Sequence, residues 1–369
     1  MEALHNDSVN QLRSGSLEPA LALPFGWLPK AYGVPRRVAA IIHIYYEEIA
    51  YEILAYANNF PRGTDLFLST DTELKASRIA SIFEAYKFGR VTIRIVPNRG
   101  RDIAPKLVGY RDVYEKYEYV LHLHSKKSVH NSKLGSWRTY LYETLSGSPA
   151  HVWDILEVFD RAPRVGMIFP QHYEYIRRWI AWDGNYGECR RLAARLHYEL
   201  FEGHPLDFPS GSMFWARSAA LRPLLDLQLT LEDFQIESGQ EDNTMAHAIE
   251  RLYAIVCELS GHDWIKIARP EFLADQGGLV NVETPAELET FLEMKIVRLT
   301  SGILHHEVRG ERSTESPLTA ALSAITDEHN ELLTQAEKFS RWTKKQIFPW
   351  VPPGRGNASL ASSGKLVIS

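Results

Sequence analysis

Short apolar segments alternate with segments of helical periodicity between residues 37 and 124, and this alternation restricts the possible folds more than any other feature. The apolar segments have the length of buried strands, and they are residues 37–46, 64–71, 90–98 and 118–124. Strands that alternate with helices predict an α/β fold with a mostly parallel sheet flanked by helices. Because ligands of such sheets bind beyond the carboxyl ends of the strands, the residues that follow each strand are candidate site residues.

The net charge and the composition limit the kinds of binding partner and the cellular location that can be expected. The chain of 369 residues has a formal net charge of -5 at pH 7, so a general nucleic-acid binder is not expected and any anion site is local. Its two cysteines make no disulfide framework and suit a reducing cytosol. The sequence shows neither a signal-peptide pattern nor an apolar run of about 20 residues, which predicts a cytoplasmic protein that is soluble or attached to a membrane surface.

The segment "NRGRD", residues 98–102, follows the third predicted strand. Arg99 and Arg101 are suited to bidentate contacts with phosphate, and Gly100 permits a tight turn or a close approach to a ligand. Asp102 either caps the next helix or accepts a hydrogen bond from a sugar or base hydroxyl. Both interpretations of this segment remain open from its residues alone.

The segment "HLHSKKS", residues 122–128, ends the fourth predicted strand. His122 and His124 share one face of the strand, where they could bind a metal together with a third ligand, or donate to phosphate. Lys126 and Lys127 would supply positive charge to a diphosphate. For any one of these residues a purely structural role is the commoner case, and their combination at a strand end favours a ligand site.

Small residues precede two aromatic residues in "FPSGSMFWAR", residues 208–217. Ser210, Gly211 and Ser212, with Trp215 close behind them, could form a flat floor for a sugar ring. A tight turn that enters a core strand explains the same pattern equally well.

Two carboxylates open a predicted helix in "QEDNTMAHAIER", residues 240–251. Asp242 or Glu241 could act as a general base that takes a proton from an attacking hydroxyl. The alternative is that both residues only cap the helix and compensate its dipole.

These blocks, together with "IIHIYY" and "DLFLSTD", occur in an order that resembles the rhamnan synthesis protein F family of bacterial glycosyltransferases, over roughly residues 37–270. The resemblance implies a GT-A-like fold, in which a nucleotide-binding α/β half is joined to an acceptor half. GT-A enzymes usually carry an Asp-x-Asp motif at the position of residues 122–124, where this chain has His-Leu-His followed by two lysines. The resemblance therefore leaves open whether the lysines replace a divalent metal or His122 and His124 bind one.

The family also implies roles for individual residues. The donor would be dTDP-L-rhamnose, and its transfer with inversion would need one base, Asp242, with Glu241 as the second candidate. The donor-binding residues implied by the resemblance are Asp71, Asn98, Arg99, Gly100, Arg101, Asp102, His122, His124, Lys126 and Lys127. The residues expected on the acceptor side are Trp182, Asn185, Ser210, Gly211, Ser212 and Trp215.

The resemblance implies that the acceptor is a lipid-linked or polymeric glycan, such as a growing O-antigen, the polysaccharide part of a lipopolysaccharide, or a rhamnan of the bacterial cell envelope. A second class of function fits the same residues: a non-catalytic module that binds a sugar nucleotide or a glycan within a polysaccharide assembly complex. Release of the donor sugar to water would distinguish an enzyme from such a module.

The predicted organisation has three parts: an N-terminal extension over residues 1–36, a GT-A-like domain over 37–275, and a C-terminal helical extension with a disordered tail over 276–369. Residues 319–346 have the pattern of an amphipathic helix. That helix could pack or form an oligomer, or it could rest on the inner face of the cytoplasmic membrane.

Overall fold

The strands predicted from residue 37 onward form the middle of a single sheet. The computed structural model describes residues 19–27, 37–126, 135–201, 203–239, 242–272, 278–293 and 299–300. In chain order, the strands are β1 Ala20–Ala22, β2 Val38–His43, β3 Asp65–Thr70, β4 Val91–Ile95, β5 Tyr119–His124, β6 Val165–Pro170, β7 Phe214–Arg217, β8 Asp263–Ala268 and β9 Leu279–Val280.

The sheet has the order β4-β3-β2-β5-β7-β6-β8-β1-β9. All neighbouring strands are parallel except β7, which is antiparallel to both β5 and β6. The prediction of an α/β fold with a mostly parallel sheet is confirmed, and the architecture is GT-A-like.

Helices cover both faces of the sheet. In chain order they are α1 Ala50–Ala57, α2 Glu73–Phe83, α3 Ile103–Leu107, α4 Trp137–Ser146, α5 Pro149–Arg161, α6 Tyr186–Arg195, α7 Arg222–Asp226, α8 Met245–Leu259 and α9 Pro285–Glu293. Ser148 caps α5: its side chain accepts a hydrogen bond from the backbone amide of His151, and Pro149 occupies the first turn.

The central strands are buried on both faces, which explains why they show continuous apolar runs rather than alternation. All six residues of β2 are buried. On one face, Ile42 packs in a cluster with Ile53 of α1 and Leu141 of α4. On the other face, Ile41 packs in a cluster with Ile249 of α8.

The sheet extends beyond the boundaries that the sequence predicted. Strand β1 lies inside the predicted extension 1–36 and pairs with β8, with Ala20 opposite Lys266. Strand β9 follows the predicted boundary at residue 275 and pairs with β1. Both strands are short and their partners are remote in sequence, so no local pattern marks them. The predicted helix 319–346 and the predicted disordered tail lie outside the described residues.

One predicted helix is much shorter than its pattern indicates. The segment that follows "NRGRD" forms only α3, and then a turn that leads to a single 3-10 turn at Arg111–Val113. Pro105 lies inside α3, where it cannot donate a backbone hydrogen bond. In the segments that the structure describes, no helix is both long enough and apolar enough to cross a membrane.

Candidate functional site

A cleft of about 790 Å³ opens at the carboxyl ends of β2 and β5, where the order in which strands are added to the sheet reverses. From β2 the sheet continues to β3 and β4 on one side, whereas β5 lies on the other side. His43 is the last residue of β2 and His124 is the last residue of β5, and the two lie opposite each other where these strands pair. Nucleotides and other ligands of α/β sheets bind at such switch points, because two successive loops leave in opposite directions and open a crevice.

The antiparallel strand β7 brings a second type of loop to the same edge. Because β7 runs against its neighbours, its amino end lies beside the carboxyl end of β5, with Phe214 opposite His122. The turn Ser210–Ser212 therefore lines the cleft together with residues that follow β2, β4 and β5 and residues at the start of α8. The predicted site residues found in the cleft lining are Asn98, Arg101, Asp102, His124, Lys126, Ser210, Gly211, Ser212 and Asp242.

A buried ion pair lies under the cleft. The Lys106 ammonium of α3 is fully buried and lies 2.7 Å from Asp102 Oδ2. It also donates to the Ser212 carbonyl at 3.1 Å. Burial alone would raise the pKa of the Asp102 carboxyl, but its polar neighbours His124 and Lys106 outweigh burial and hold that pKa well below its usual range. Asp102 therefore remains an anion and fixes the position of Lys106.

The two histidines at the strand ends are neutral. Burial lowers the pKa of His43 to about 4 and that of His124 to about 3. His124 Nε2 lies 2.8 Å from the Gly211 carbonyl oxygen, which can only accept, so Nε2 carries the proton. His43 Nδ1 lies 3.0 Å from Ser69 Oγ. These rings act as hydrogen-bonding walls of the cleft rather than as cations.

The Ser210–Ser212 turn is fixed on both sides. The Gly211 amide donates to Glu250 Oε1 of α8 at 2.8 Å, and its carbonyl accepts from His124 of β5. Gly211 has φ +87°, and a Cβ there would lie 3.0 Å from Leu141. A side chain at this position would therefore be strained and crowded. The turn is rigidly connected to the helix and strand that line the cleft beside it.

Three of the six described non-glycine residues with positive φ lie at the cleft or next to a residue that lines it. Arg101 has φ 55°, Ser212 has φ 54° and Asn243, next to Asp242, has φ 61°. Such left-handed conformations are unfavourable for residues with a Cβ and concentrate at functional sites, where the surrounding structure holds them. Their position supports the assignment of this cleft as the functional site.

The segment that follows β4 supplies a polar wall. Asn98, Arg101 and Asp102 line the cleft. The Arg101 amide donates to Glu237 Oε1 at 3.0 Å, and its guanidinium lies 3.9 Å from the same carboxylate. Arg101 is thus an oriented cation at the cleft rather than a freely solvated side chain.

Of the two lysines predicted to bind a diphosphate, Lys126 lies in the part of the chain that the structure describes. Its ammonium lies 3.8 Å from the centre of the Trp137 ring, in a cation–π contact, and both residues line the cleft. Burial lowers the pKa of Lys126, while Glu250 and Asp102 act against that shift. An anionic ligand in the cleft would stabilise the charged form. Lys127 lies outside the described residues.

Asp242 lies at the cleft just before α8, and buried neighbours fix its carboxylate. Asn185, which is fully buried, donates from Nδ2 to Asp242 Oδ1 at 2.7 Å. Arg251 lies 3.6 Å from the same oxygen, and about half of the Asp242 side chain remains exposed. A fixed and accessible carboxylate is the geometry that a general base needs. Glu241 lies outside the described residues.

Several predicted site residues lie away from the cleft surface. Trp215 is fully buried, and its indole donates to the Leu145 carbonyl at 3.0 Å. His122 is fully buried, 2.8 Å from the Tyr114 hydroxyl. The predicted contacts of both residues with ligand need correction, because a strand covered on both faces turns every side chain into the core.

The other predicted residues outside the lining have structural partners. Asp71 pairs with Lys75 at 2.7 Å, and Arg99 donates to the Phe234 carbonyl at 3.1 Å. Gly100 packs against Phe234, and Trp182 donates to the His204 carbonyl at 2.8 Å. Asn185 acts on the cleft indirectly, through Asp242.

A metal bound by His122 and His124 does not fit the geometry. Each Nε2 atom is already engaged inside the protein, by the Tyr114 hydroxyl and by the Gly211 carbonyl respectively. His122 is packed against Phe214 and does not reach the cleft. Across the described ranges, no group of three or more His, Cys, Asp or Glu side chains is arranged to hold a metal ion.

Sequence reasoning missed several residues that line the cleft. Tyr45 and Tyr46 follow β2 closely, but the predicted strand 37–46 included them, so the rule that selects residues after strands passed over them. Ala246 and Glu250 lie four residues apart on one face of α8 and line the cleft together with Asp242. This spacing is visible in the sequence, but the residues on the apolar face of the same helix form a stronger pattern. Trp137 offers no local signal, because only the fold brings it to Lys126.

Comparisons with known proteins give two results. The model of a family described as "Rhamnan synthesis protein F" matches residues 26–260. Two curated relatives from Xanthomonas campestris pv. campestris, strains B100 and ATCC 33913, both carry the name "Uncharacterized protein WxcX" and are 33% identical to this chain over 262 residues. The match covers 67% of this chain and 36% of each relative, so the chain spans about a third of the length of these relatives.

Proposed function

The chain belongs to the rhamnan synthesis protein F family, and from that premise we propose that it is a glycosyltransferase, which moves a sugar from a nucleotide donor onto a growing cell-surface polysaccharide. The observation that carries this proposal is the cleft at the switch point of the sheet. It combines an oriented cation, a fixed carboxylate and a turn of small residues at the edge where α/β sheets bind nucleotides.

The donor side of the cleft is formed by residues that follow β2, β4 and β5. We assign the donor diphosphate to Lys126 and Arg101, whose positive charges would stabilise the charge that develops on the leaving oxygen. Tyr45, on the same wall, offers a ring for the nucleoside. The proposed donor is dTDP-L-rhamnose, and the lysine takes the part that a divalent metal plays in other enzymes of this architecture.

The acceptor side contains Asp242 and the Ser210–Ser212 turn. In the proposed step, an acceptor hydroxyl forms a bond to the anomeric carbon as the bond from that carbon to the diphosphate breaks. The hydroxyl proton moves to Asp242, and the nucleoside diphosphate leaves with its charge beside Lys126. One displacement with one base inverts the configuration, so a β-linked donor gives an α-linked product.

The proposed acceptor is a lipid-linked or polymeric glycan of the O-antigen or rhamnan type. This proposal places the protein in the cytoplasm, with contact to the inner face of the membrane through residues 319–346, which lie outside the described residues. The division into 1–36, 37–275 and 276–369 also remains a proposal, qualified by the strands found beyond both inner boundaries.

The test is release of nucleoside diphosphate from a panel of dTDP-, UDP- and GDP-sugars by the full chain, without acceptor and then with a membrane glycan fraction. We expect slow release from dTDP-L-rhamnose that the acceptor fraction accelerates. Binding without release, in both conditions, would contradict an enzyme and favour the non-catalytic binding module. Neither binding nor release with any donor would contradict both functions.

A further inference from the structure

Four side chains form a buried chain of polar contacts that begins at Ser210 of the cleft. His172 Nδ1 lies 3.0 Å from Ser210 Oγ, and His172 Nε2 lies 3.0 Å from Asp207 Oδ1. The Lys266 ammonium of β8 donates to Asp207 Oδ2 at 2.7 Å. The side chains of His172, Asp207 and Lys266 are 1%, 0% and 0% exposed. We name these four residues the Ser210 network.

The protonation of the network can be worked out from its charged end. Burial by itself would raise the pKa of Asp207, but Lys266 and His172 outweigh burial and lower that pKa on balance. An ionised carboxylate can only accept hydrogen bonds. Asp207 Oδ1 also accepts from the Phe208 amide at 2.9 Å. The proton between His172 and Asp207 therefore resides on His172 Nε2.

The state of His172 then fixes the direction of the next hydrogen bond. Burial lowers the pKa of His172, Asp207 acts against that shift, and the nearby cations Lys266 and Arg177 add to it, so the ring is neutral. A neutral imidazole that is protonated at Nε2 has a lone pair at Nδ1. Ser210 must therefore donate its hydroxyl proton to His172, which leaves only lone pairs of Ser210 Oγ for a ligand in the cleft.

The same constellation could be taken for a nucleophilic serine, and the backbone around it argues against that role. Acyl transfer needs amide donors aimed at an oxyanion beside the serine. The two amides that follow Ser210 donate elsewhere: Gly211 to Glu250 Oε1 at 2.8 Å, and Ser212 to the Pro209 carbonyl at 2.8 Å. The contacts favour recognition of a ligand over covalent catalysis.

The surroundings of Ser210 indicate what it recognises. Ile176, Trp179, Ile180 and Phe208 line the cleft with it, and 44% of Trp179 is exposed. An apolar wall with one directed polar atom fits a sugar, whose ring face is apolar and whose hydroxyls are donors.

We propose that Ser210 is a hydroxyl-specific subsite for the glycan acceptor, which accepts a hydrogen bond from one sugar hydroxyl, and that His172, Asp207 and Lys266 are positioning residues that hold it as an acceptor. This inference rests on the proposed glycosyltransferase function, because that function is what makes the ligand a glycan. It gives Ser210, which already lies on the acceptor side of the proposed site, the task of selecting which sugar hydroxyl can bind there.

The first arm of the test examines the network without any ligand. Nitrogen NMR of the full chain with labelled histidine, assigned with a His172→Gln variant, reports the tautomer of His172 at neutral pH. We expect a neutral ring protonated at Nε2. A ring protonated at Nδ1, or a doubly protonated ring, would overturn the inference, because Ser210 would then be free to donate to the ligand.

The second arm compares pairs of glycosides, with tryptophan fluorescence as the readout since Trp137 and Trp179 line the cleft. Methyl α-L-rhamnopyranoside is compared with its monofluoro analogues, because fluorine cannot donate a hydrogen bond. At one ring position we expect the fluoro analogue to bind wild type roughly tenfold more weakly, the effect of one lost hydrogen bond. Ser210→Ala should abolish that difference, whereas the control Ser146→Ala, which removes a hydroxyl bonded inside α4, should keep it.

The outcomes separate the inference from the function on which it rests. A difference between hydroxyl and fluorine that persists in Ser210→Ala, or no difference in wild type, overturns the inference. Titration of the same preparation with dTDP-L-rhamnose decides the function independently. Donor binding with no glycoside discrimination leaves the transferase standing without the Ser210 subsite, and binding of neither ligand removes both.

Discussion

Two ion pairs of the same spacing and length lie in very different surroundings. Lys106 and Asp102 are four residues apart with a 2.7 Å contact, and their side chains are 0% and 11% exposed. Arg222 and Asp226 are also four residues apart at 2.7 Å, but their side chains are 65% and 54% exposed. The first pair lies beneath the cleft and the second lies on the surface. Comparing variants of the two pairs therefore shows how burial changes the contribution of an ion pair to the free energy of unfolding.

Removal of one partner should affect these pairs very differently. We expect Asp102→Ala to lower the free energy of unfolding by about 3–5 kcal/mol, because it leaves the buried Lys106 ammonium without its partner. Asp226→Ala should cost less than about 1 kcal/mol. Urea unfolding measures both. Equal losses in the two variants would contradict the buried ion pair, and the double variant Asp102→Leu/Lys106→Met should recover much of the loss.

Asp242 is the residue on which the proposed chemistry depends most. Asp242→Asn keeps the shape of the side chain and removes the basic oxygen, so we expect turnover to fall roughly a hundredfold or more while donor binding is retained. The assay is release of nucleoside diphosphate in the presence of acceptor, with Asp226→Asn as the control. Unchanged turnover in Asp242→Asn would assign the base to another residue.

At the scale of elements, the loop that follows β4 depends on one glycine. Gly100 has φ +66°, and a Cβ there would lie 2.5 Å from the Phe234 ring and 2.6 Å from the Ala104 Cβ. Gly63 has φ +91°, and a Cβ there would meet nothing within 4 Å. The two positions share the backbone strain, and only Gly100 adds the steric clash.

This contrast predicts unequal effects of alanine. Gly63→Ala should cost about 1–2 kcal/mol for the left-handed backbone. Gly100→Ala should cost a further 1–3 kcal/mol or so for overpacking, and should weaken donor binding because the loop carries Arg101 and Asp102. Thermal unfolding with and without donor reports both effects. Equal stability of the two variants would mean that the loop shifts freely and does not define the cleft.

The elements show how far sequence reasoning could reach. The strands β2, β3 and β5 were predictable, because each is a largely buried apolar run. Strand β4 is only partly buried, and its segment was recognisable because apolar and polar residues alternate along it. Strand β8 contains Lys266, which is buried only because Asp207 pairs with it, and Asp207 is remote in sequence. Strand β1 is too short to show a pattern of its own. Contacts between residues that are remote in sequence produce no local sequence pattern. The edge of the sheet formed by β8, β1 and β9 could therefore not be predicted.

The candidate site was predictable at strand ends and not within strands. Asn98, Arg101, Asp102 and Lys126 follow strands, and the rule for parallel sheets placed them in the cleft. His122 and Trp215 lie within strands that are covered on both faces, where alternation cannot tell a ligand-facing side chain from a buried one. The Ser210 network joins three separate segments, which only the fold brings together.

At the scale of the whole molecule, buried histidines link stability to pH. Burial lowers the pKa of four of them from 6.5: to about 4 for His43, His151 and His247, and to about 3 for His124. The unfolded chain therefore binds more protons than the folded chain below pH 6.5. Their stabilising contribution is complete above that pH and is lost as the pH falls towards about 4.

One group acts in the opposite direction. Burial raises the pKa of Asp154 to about 7 from 3.8, so its contribution is present at low pH and is lost as the pH rises through about 7. Four histidines outweigh one aspartate, and we expect the free energy of unfolding to fall steadily between pH 6.5 and about 4. Urea unfolding at a series of pH values measures this slope, which Asp154→Asn should make steeper. A flat profile would contradict the burial of these histidines.

Calorimetric titration of the full chain with dTDP-L-rhamnose tests most directly whether the cleft binds a nucleotide sugar through Lys126. We expect binding that persists in EDTA and that weakens roughly tenfold to a hundredfold in Lys126→Ala, the effect of a lost charge-assisted contact. Lys116→Ala, a change at an exposed lysine that pairs with Asp112, should bind like wild type. Binding that EDTA abolishes, or that Lys126→Ala leaves unchanged, would contradict the account.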